Sequence, residues 1–264
     1  MLYAQLHGKL RLEQENLEDL LTSNVFGALK HVPVSQGLLP FLRRATGKDA
    51  SKLIAALASD VADVSYEFWP RLASCEPDVL IRLTPERGPR LLILVEAKLH
   101  SGKSSEASAD DKLIGDQLAR EWESVQSRAQ DEQRQAFVVY ITVDYCLPAE
   151  DIERSQDELR KKQGAEGQIV WLSWRALGEV ARAADSALLD DVARLLVQRY
   201  ALSSFDGITP RRARSTWQFA RAAGVESCEF LARWTFKGEI PWRFRMAHAA
   251  VWRCRTRNPW RWSR

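Results

Sequence analysis

The chain has 264 residues, of which 45% are hydrophobic and 28% are charged. This length suits one domain of ordinary size with an extension, and the composition is that of a globular protein rather than a disordered or fibrous one. No apolar run approaches the length of a membrane span, the opening MLYAQLHGKLRL lacks the apolar stretch of a signal peptide, and the cysteines and histidines show no zinc-binding spacing. We therefore expect a cytoplasmic protein without a membrane partner.

Charge is distributed unevenly along the chain. Residues 201–264 contain 13 Lys or Arg and 4 Asp or Glu, a balance of +9, so the net charge of +3 leaves −6 for the first 200 residues. The same segment holds six of the ten tryptophans. Interleaved arginine and aromatic residues suit a nucleic-acid surface, whereas Trp217, Trp234 and Trp242 could instead form the core of a small module. We predict a domain over 1–200 and a basic extension over 201–264.

Hydrophobic periodicity divides the first 200 residues into helices and strands. Helices are predicted over residues 10–30, 37–59 (two short ones), 110–130, 149–163 and 175–200 (one or two). Strands are predicted over residues 61–69, the two arms of a hairpin at 77–98, 136–144 and 168–174. The core order is α-β-β-β-α-β, which predicts an α/β fold with a mixed sheet between helical layers.

The hairpin carries charged residues in a specific register. Its arms DVLIRL and RLLILVEAK are separated by the turn residues PERGP. A hairpin centred on Arg87 places Asp78 opposite Glu96, with Cβ atoms about 5 Å apart, and puts Lys98 on the same face while Ala97 points away. Opposed carboxylates destabilise a sheet unless a cation offsets their charge. Their oxygen ligands and high charge suit a hard divalent cation.

Proline and Asp78 on one strand, followed by Glu96-x-Lys98 at the end of the next, resemble the PD-(D/E)xK nuclease superfamily, which has the restriction-endonuclease-like fold. The segment ENLEDLLTSNVFGALKHVP also resembles uncharacterised bacterial members of this superfamily. The resemblance covers about residues 10–175. It implies phosphodiester hydrolysis, with DNA as the expected substrate, and a homodimer is compatible with it.

The resemblance also implies roles for individual residues. Asp78, Glu96 and the backbone carbonyl of Ala97 would hold Mg²⁺ (or Mn²⁺) beside the scissile phosphate. Lys98 would position the attacking water and stabilise developing charge. Burial and mutual repulsion are expected to raise the pKa of at least one of the two carboxyl groups when no metal is bound.

The first helix is expected to supply a further acid. Helical periodicity places Glu18 between Val25 and Leu29, inside the apolar stripe, and a buried acid needs a partner. We predict that Glu18 completes the metal's ligand shell through water, with Glu13 as second candidate. The alternative is that Glu18 lies at the edge of the core and reaches solvent.

Gln117 lies beside the apolar stripe of the helix that follows the Glu96 strand. Several branches of the superfamily use a glutamine here to orient the lysine or a phosphate, and we predict this role for Gln117. An ordinary solvated position is the alternative.

Two other functions are compatible with the sequence. One is a catalytically inactive nucleic-acid-binding module on a nuclease fold. The other is a nucleotide-binding P-loop, because Ala97-x4-Gly102-Lys103-Ser104 follows a strand and fits a relaxed form of that motif. Alanine in place of the first glycine and the late start of the next helix both weigh against the P-loop.

Overall fold

The computed structural model describes residues 2–9, 18–99 and 115–203 in full, together with the backbone of short strands between 208 and 262. The chain divides into two compact units, Met1–Ser204 and Phe205–Arg264. The described helices of the first unit are α1 (Leu2–Leu6), α2 (Glu18–Lys30), α3 (Leu38–Leu42), α4 (Ala50–Ala56), α5 (Gln117–Asp131), α6 (Ala149–Gln163), α7 (Trp174–Ala183) and α8 (Ala187–Tyr200). Its strands are β1 (Val61–Phe68), β2 (Val79–Pro85), β3 (Leu91–Ala97), β4 (Gln135–Thr142) and β5 (Ile169–Ser173).

The five strands form one mixed sheet in the order β1-β2-β3-β4-β5. The first three are antiparallel, and β3, β4 and β5 run parallel. In the β2–β3 hairpin Val79 pairs with Val95 and Leu83 with Leu91, so the register predicted from the sequence is confirmed. Asp78 immediately precedes the first of these pairs rather than lying within the strand. Together these features make the first unit mixed α/β.

Both faces of the sheet are covered, which explains why every residue of β3 is buried. Ile93, Val95 and Ala97 on one face belong to a core that includes residues of α2, α7 and α8. Leu92 and Leu94 on the other face pack in a second core with residues of α5. Glu96 shares the second face because side chains alternate along a strand. A carboxylate thus stands at the end of an otherwise apolar layer.

Helix α5 begins at Gln117, later than the predicted start at residue 110. Asp116 caps the helix by accepting a hydrogen bond from the Ala119 amide at 3.1 Å. The Ser155 hydroxyl of α6 donates to the same carboxylate at 2.6 Å, and Glu158 of α6 accepts from the Asp116 amide at 3.0 Å. Residues 115 and 116 are therefore a cap held by α6, while residues 110–114 lie outside the described part of the chain.

The second unit is described as backbone strands only. They are β6 (Ile208–Arg211), β7 (Ser215–Arg221), β8 (Gly224–Phe230), β9 (Arg233–Phe236) and β10 (Arg261–Trp262). Strands β10, β7 and β8 form one antiparallel sheet, and β6 pairs with β9. Trp217 lies on β7 and Trp234 on β9, so both interpretations of these tryptophans stay open. Within the described residues, no helix is long and apolar enough to cross a membrane.

Candidate active site

The candidate site lies where β3 ends, and the backbone of Lys98 fixes its position. The Lys98 amide donates to the carbonyl of Ile141 on β4 at 2.7 Å, which extends the parallel pairing one residue beyond β3. The Lys98 carbonyl accepts a hydrogen bond at 3.2 Å from the indole Nε1 of Trp174, a fully buried residue of α7. The main chain of Lys98 is therefore held from two sides, although the side chain is free to select its partners.

The Lys98 ammonium joins two of the predicted acids. Its Nζ atom lies 2.6 Å from Oε1 of Glu96 and 3.3 Å from Oε1 of Glu18, and the other Glu18 oxygen accepts from the Leu99 amide at 2.7 Å. Burial alone would lower the pKa of Lys98, but the adjacent carboxylates of Glu96 and Glu18 outweigh it and raise this pKa above its ordinary value. Glu18 is thus placed in the cluster, as expected, rather than at a solvent-facing edge of the core.

Asp78 approaches the same point from the start of β2. Its Oδ2 atom accepts a hydrogen bond from the Ala97 amide at 2.8 Å, so the carboxylate reaches across to the end of β3. Burial, followed by the charge of Glu96, raises the pKa of Asp78 to about 7. This agrees with the expectation of a raised carboxyl pKa. A role for the Ala97 carbonyl as a metal ligand stays a prediction.

Helix α5 adds Gln117, which was predicted, and Glu121, which was not. Gln117 Nε2 donates to Glu96 Oε1. Glu121 lies one helical turn further along the same face, is completely buried, and hydrogen-bonds to both Glu96 and Gln117. Within the described residues, Glu121 Oε2 has no hydrogen-bond partner. The spacing of the two residues was visible in the sequence, but only the docking of α5 shows that Glu121 faces inward.

The contact between Glu96 and Glu121 requires a proton. Two ionised carboxylates only accept hydrogen bonds, so a bond between them means that one carries a proton. Burial raises the pKa of both residues; for Glu121, the charge of Glu96 raises it further, well above the ordinary value. We therefore assign the proton to Glu121, which leaves Glu96 as the anion that Lys98 and Gln117 contact.

The chemistry of these residues fits a hard divalent cation better than their present arrangement does. Carboxylate oxygens are the ligands that Mg²⁺ and Mn²⁺ prefer. In residues 2–9, 18–99 and 115–203, however, no three Asp, Glu, His or Cys side chains are grouped so that they could hold a metal ion. The Lys98 ammonium already occupies Glu96 Oε1. Binding a metal ion between Asp78 and Glu96 would therefore require Lys98 to release Glu96.

Two parts of the predicted site lie outside the described residues. Glu13, the second candidate on the first helix, falls in the segment 10–17, and Gly102, Lys103 and Ser104 of the P-loop alternative fall in 100–114. Comparisons with protein-family models, curated proteins and solved structures found no match. The resemblance to the PD-(D/E)xK superfamily therefore depends on the residues of this chain alone.

Proposed function

We propose that the chain is a metal-dependent nuclease of the PD-(D/E)xK type, with a restriction-endonuclease-like core in its first unit. The observation that supports this best is the surplus of buried carboxyl groups around Lys98. Asp78, Glu96 and Glu121 are each less than 10% exposed. Burying acids close together without matching cations costs folding free energy. A site that binds a divalent cation provides a reason to retain them.

Each residue then has a distinct task. Asp78 and Glu96, with the Ala97 carbonyl, hold Mg²⁺ or Mn²⁺, and Glu18 completes the shell. The bound ion would lower the pKa of a water molecule and offset charge on the phosphate. Gln117 orients Glu96 through its amide. Lys98, once displaced from Glu96, directs its ammonium to the reacting phosphate and to the attacking water.

The substrate proposed is DNA, and the basic extension supports a polyanion as partner. Its balance of +9 contrasts with the −6 of the first 200 residues, which alone would not attract a phosphate backbone. Cytoplasmic location and a homodimer belong to the same proposal.

A catalytically inactive nucleic-acid-binding module is the second candidate. It is favoured by the Lys98–Glu96 ion pair, which is complete without a metal ion, and by the lack of a preformed group of three ligands in the described residues. Metal titration separates the two candidates, because the inactive module gains no stability from Mg²⁺.

Cleavage and melting assays test the proposal directly. The wild-type chain is incubated with linear, circular and single-stranded DNA and with RNA, in EDTA or in Mg²⁺, and we expect cleavage in Mg²⁺ only. Lys98→Ala should keep the rise in melting temperature that Mg²⁺ produces, about 2.7 kcal/mol at a hundredfold excess over Kd, because the ligands remain. It should lose at least about a hundredfold in turnover.

Lys52→Ala is the matched control, since it removes an exposed lysine that pairs with Asp49 on the surface. It should cleave like the wild type. Nucleic-acid binding without cleavage or a Mg²⁺ shift would establish the inactive module instead.

A further inference from the structure

Trp69, the residue after β1, has an unfavourable backbone conformation. Its φ is +48°, in the left-handed region that a bulky side chain rarely adopts. Pro70 follows directly, and a residue before proline ordinarily favours extended backbone. Such strain costs of the order of 1–3 kcal/mol and persists only where the surrounding structure enforces it.

The enforcing contact comes from the candidate active site. The Trp69 amide donates to the carbonyl of Asp78 at 2.9 Å. Phe68 pairs with Val79 in the β1–β2 register, so Trp69 and Asp78 are the next residues along the same two strands. The main chain of Trp69 is thus tied to the residue that carries a proposed metal ligand.

Core packing does not explain the strain, because the side chain is 41% exposed. Its ring lies 5.7 Å from that of Phe68 at an angle of 46°, and this neighbour leaves much of the indole accessible. Two residues further on, Arg71 has a side chain that is 91% exposed and pairs with Glu76 at 3.4 Å. A surface ion pair of this kind is weak, so Arg71 can exchange Glu76 for a phosphate at little cost.

We propose that Trp69 binds substrate by stacking on an unpaired nucleobase next to the scissile phosphate, with Arg71 contacting an adjacent phosphate. This inference builds on the proposed function and narrows its substrate class. A base inside a continuous duplex has both faces covered by its neighbours, whereas a base in a single strand or at a frayed end offers a face to an aromatic ring. The substrate is therefore DNA with unpaired bases at the cleavage point.

The test measures binding in EDTA, so that cleavage does not interfere. Fluorescently labelled single-stranded oligonucleotides are titrated with wild type, Trp69→Asn and Trp69→Phe, and anisotropy gives Kd. Asparagine tolerates the left-handed backbone and removes only the ring. We expect Trp69→Asn to bind about tenfold more weakly, equivalent to about 1.4 kcal/mol, and Trp69→Phe to stay within about threefold. Tyr145→Asn removes an aromatic ring that is 64% exposed elsewhere, and should bind like the wild type.

An oligonucleotide of abasic sites supplies the second arm of the test. The wild type should bind it about tenfold more weakly than the intact strand, and the difference between wild type and Trp69→Asn should vanish on it. The comparison on wild-type protein remains informative even if Trp69→Asn does not fold. Equal binding by wild type and Trp69→Asn, or a difference that persists on abasic strands, overturns the inference.

The outcome is distinguishable from failure of the proposed function. Loss of binding on Trp69→Asn, together with no cleavage by the wild type in Mg²⁺, would support base stacking and reject the nuclease. Cleavage by the wild type with no dependence of binding on Trp69 would do the reverse. If the wild type binds no nucleic acid, both fail.

Discussion

Two charged clusters lie on the same face of the β2–β3 hairpin, and they treat their carboxylates in opposite ways. The acid-rich cluster consists of Asp78, Glu96, Lys98, Glu18, Gln117 and Glu121. The arginine cluster consists of Glu132, at the end of α5, with Arg82, Arg128 and Arg134. Both adjoin the second core, so the apolar surroundings are shared. The number of cations around each carboxylate differs.

In the arginine cluster one carboxylate is surrounded by guanidinium groups. Arg82 donates to both oxygens of Glu132 at 2.9–3.1 Å, and Arg128 and Arg134 approach at 2.7 and 3.3 Å. The hydrogen bonds from Arg82, then those from Arg128, lower the pKa of Glu132 below its ordinary value. The charge is fully compensated, which is what a structural ion pair requires.

In the acid-rich cluster the balance is reversed. The Lys98 ammonium contacts Glu96 and Glu18, while Asp78 accepts a main-chain amide and Glu121 keeps a proton. The pKa of Asp78, Glu96 and Glu121 is raised, not lowered. Adjacent clusters thus separate charge that stabilises the fold from charge that strains it. Strained charge of this kind is typical of functional sites.

The largest predicted contrast is in activity. Asp78→Asn should reduce Mg²⁺-dependent cleavage at least about a hundredfold, because it removes a proposed ligand. Glu132→Gln should leave cleavage within about twofold but lower the free energy of unfolding by about 1–2 kcal/mol. A cleavage assay with urea unfolding of both variants measures this. Equal activity of Asp78→Asn and wild type would remove the functional distinction between the clusters.

The pH dependence of stability in EDTA should have opposite signs for the two clusters. The pKa of Asp78 is about 7 in the folded chain against an ordinary 3.8, so the folded state binds more protons between these values. Stability therefore falls as pH rises from about 4 to about 7, by up to about 1.4 kcal/mol per pH unit from this group. The lowered pKa of Glu132 acts below its ordinary 4.5, where stability is lost as pH falls.

Unfolding across pH 3–8 checks these signs. Asp78→Asn should flatten the decline between pH 4 and 7, and Glu132→Gln should flatten the acid limb. An unchanged profile of Asp78→Asn in EDTA would mean that Asp78 titrates as an ordinary solvated carboxyl group.

Glu121 gives the smallest effect. Glu121→Gln preserves the shape of a completely buried side chain and donates a hydrogen bond to Glu96 without a titratable proton. At pH 8, in EDTA, we expect the unfolding free energy to rise by about 1 kcal/mol. Glu123→Gln, two residues away and exposed, should change it by less than about 0.5 kcal/mol. A loss of stability in Glu121→Gln would show that the buried acid stabilises the metal-free fold.

The hairpin shows why part of the site was predictable. Its turn residues and alternating apolar side chains fix both the register and the face of each residue, so the sequence alone is enough to group Asp78, Glu96 and Lys98. Glu18 followed from the helical stripe. These inferences depend on periods of 2 and 3.6 residues, which local sequence records directly.

Glu121 and Trp69 depend on information that local sequence lacks. The inward orientation of Glu121 results from the angle at which α5 packs on the sheet. The left-handed backbone of Trp69 results from its hydrogen bond to Asp78, and nothing in the sequence around Trp69-Pro70 predicts it. The strands of the second unit were missed because their mixed Arg and Trp content has no clear period.

The hydrogen bonds that hold Lys98 have a consequence for synthesis of the chain. The Lys98 carbonyl is bound by Trp174, 76 positions later, and its amide by Ile141. A nascent chain cannot complete this lysine's surroundings until α7 has left the ribosome, so the pairing of distant segments sets the time of assembly. The proposed hydrolytic centre would thus stay latent during translation and become competent only in a nearly finished first unit.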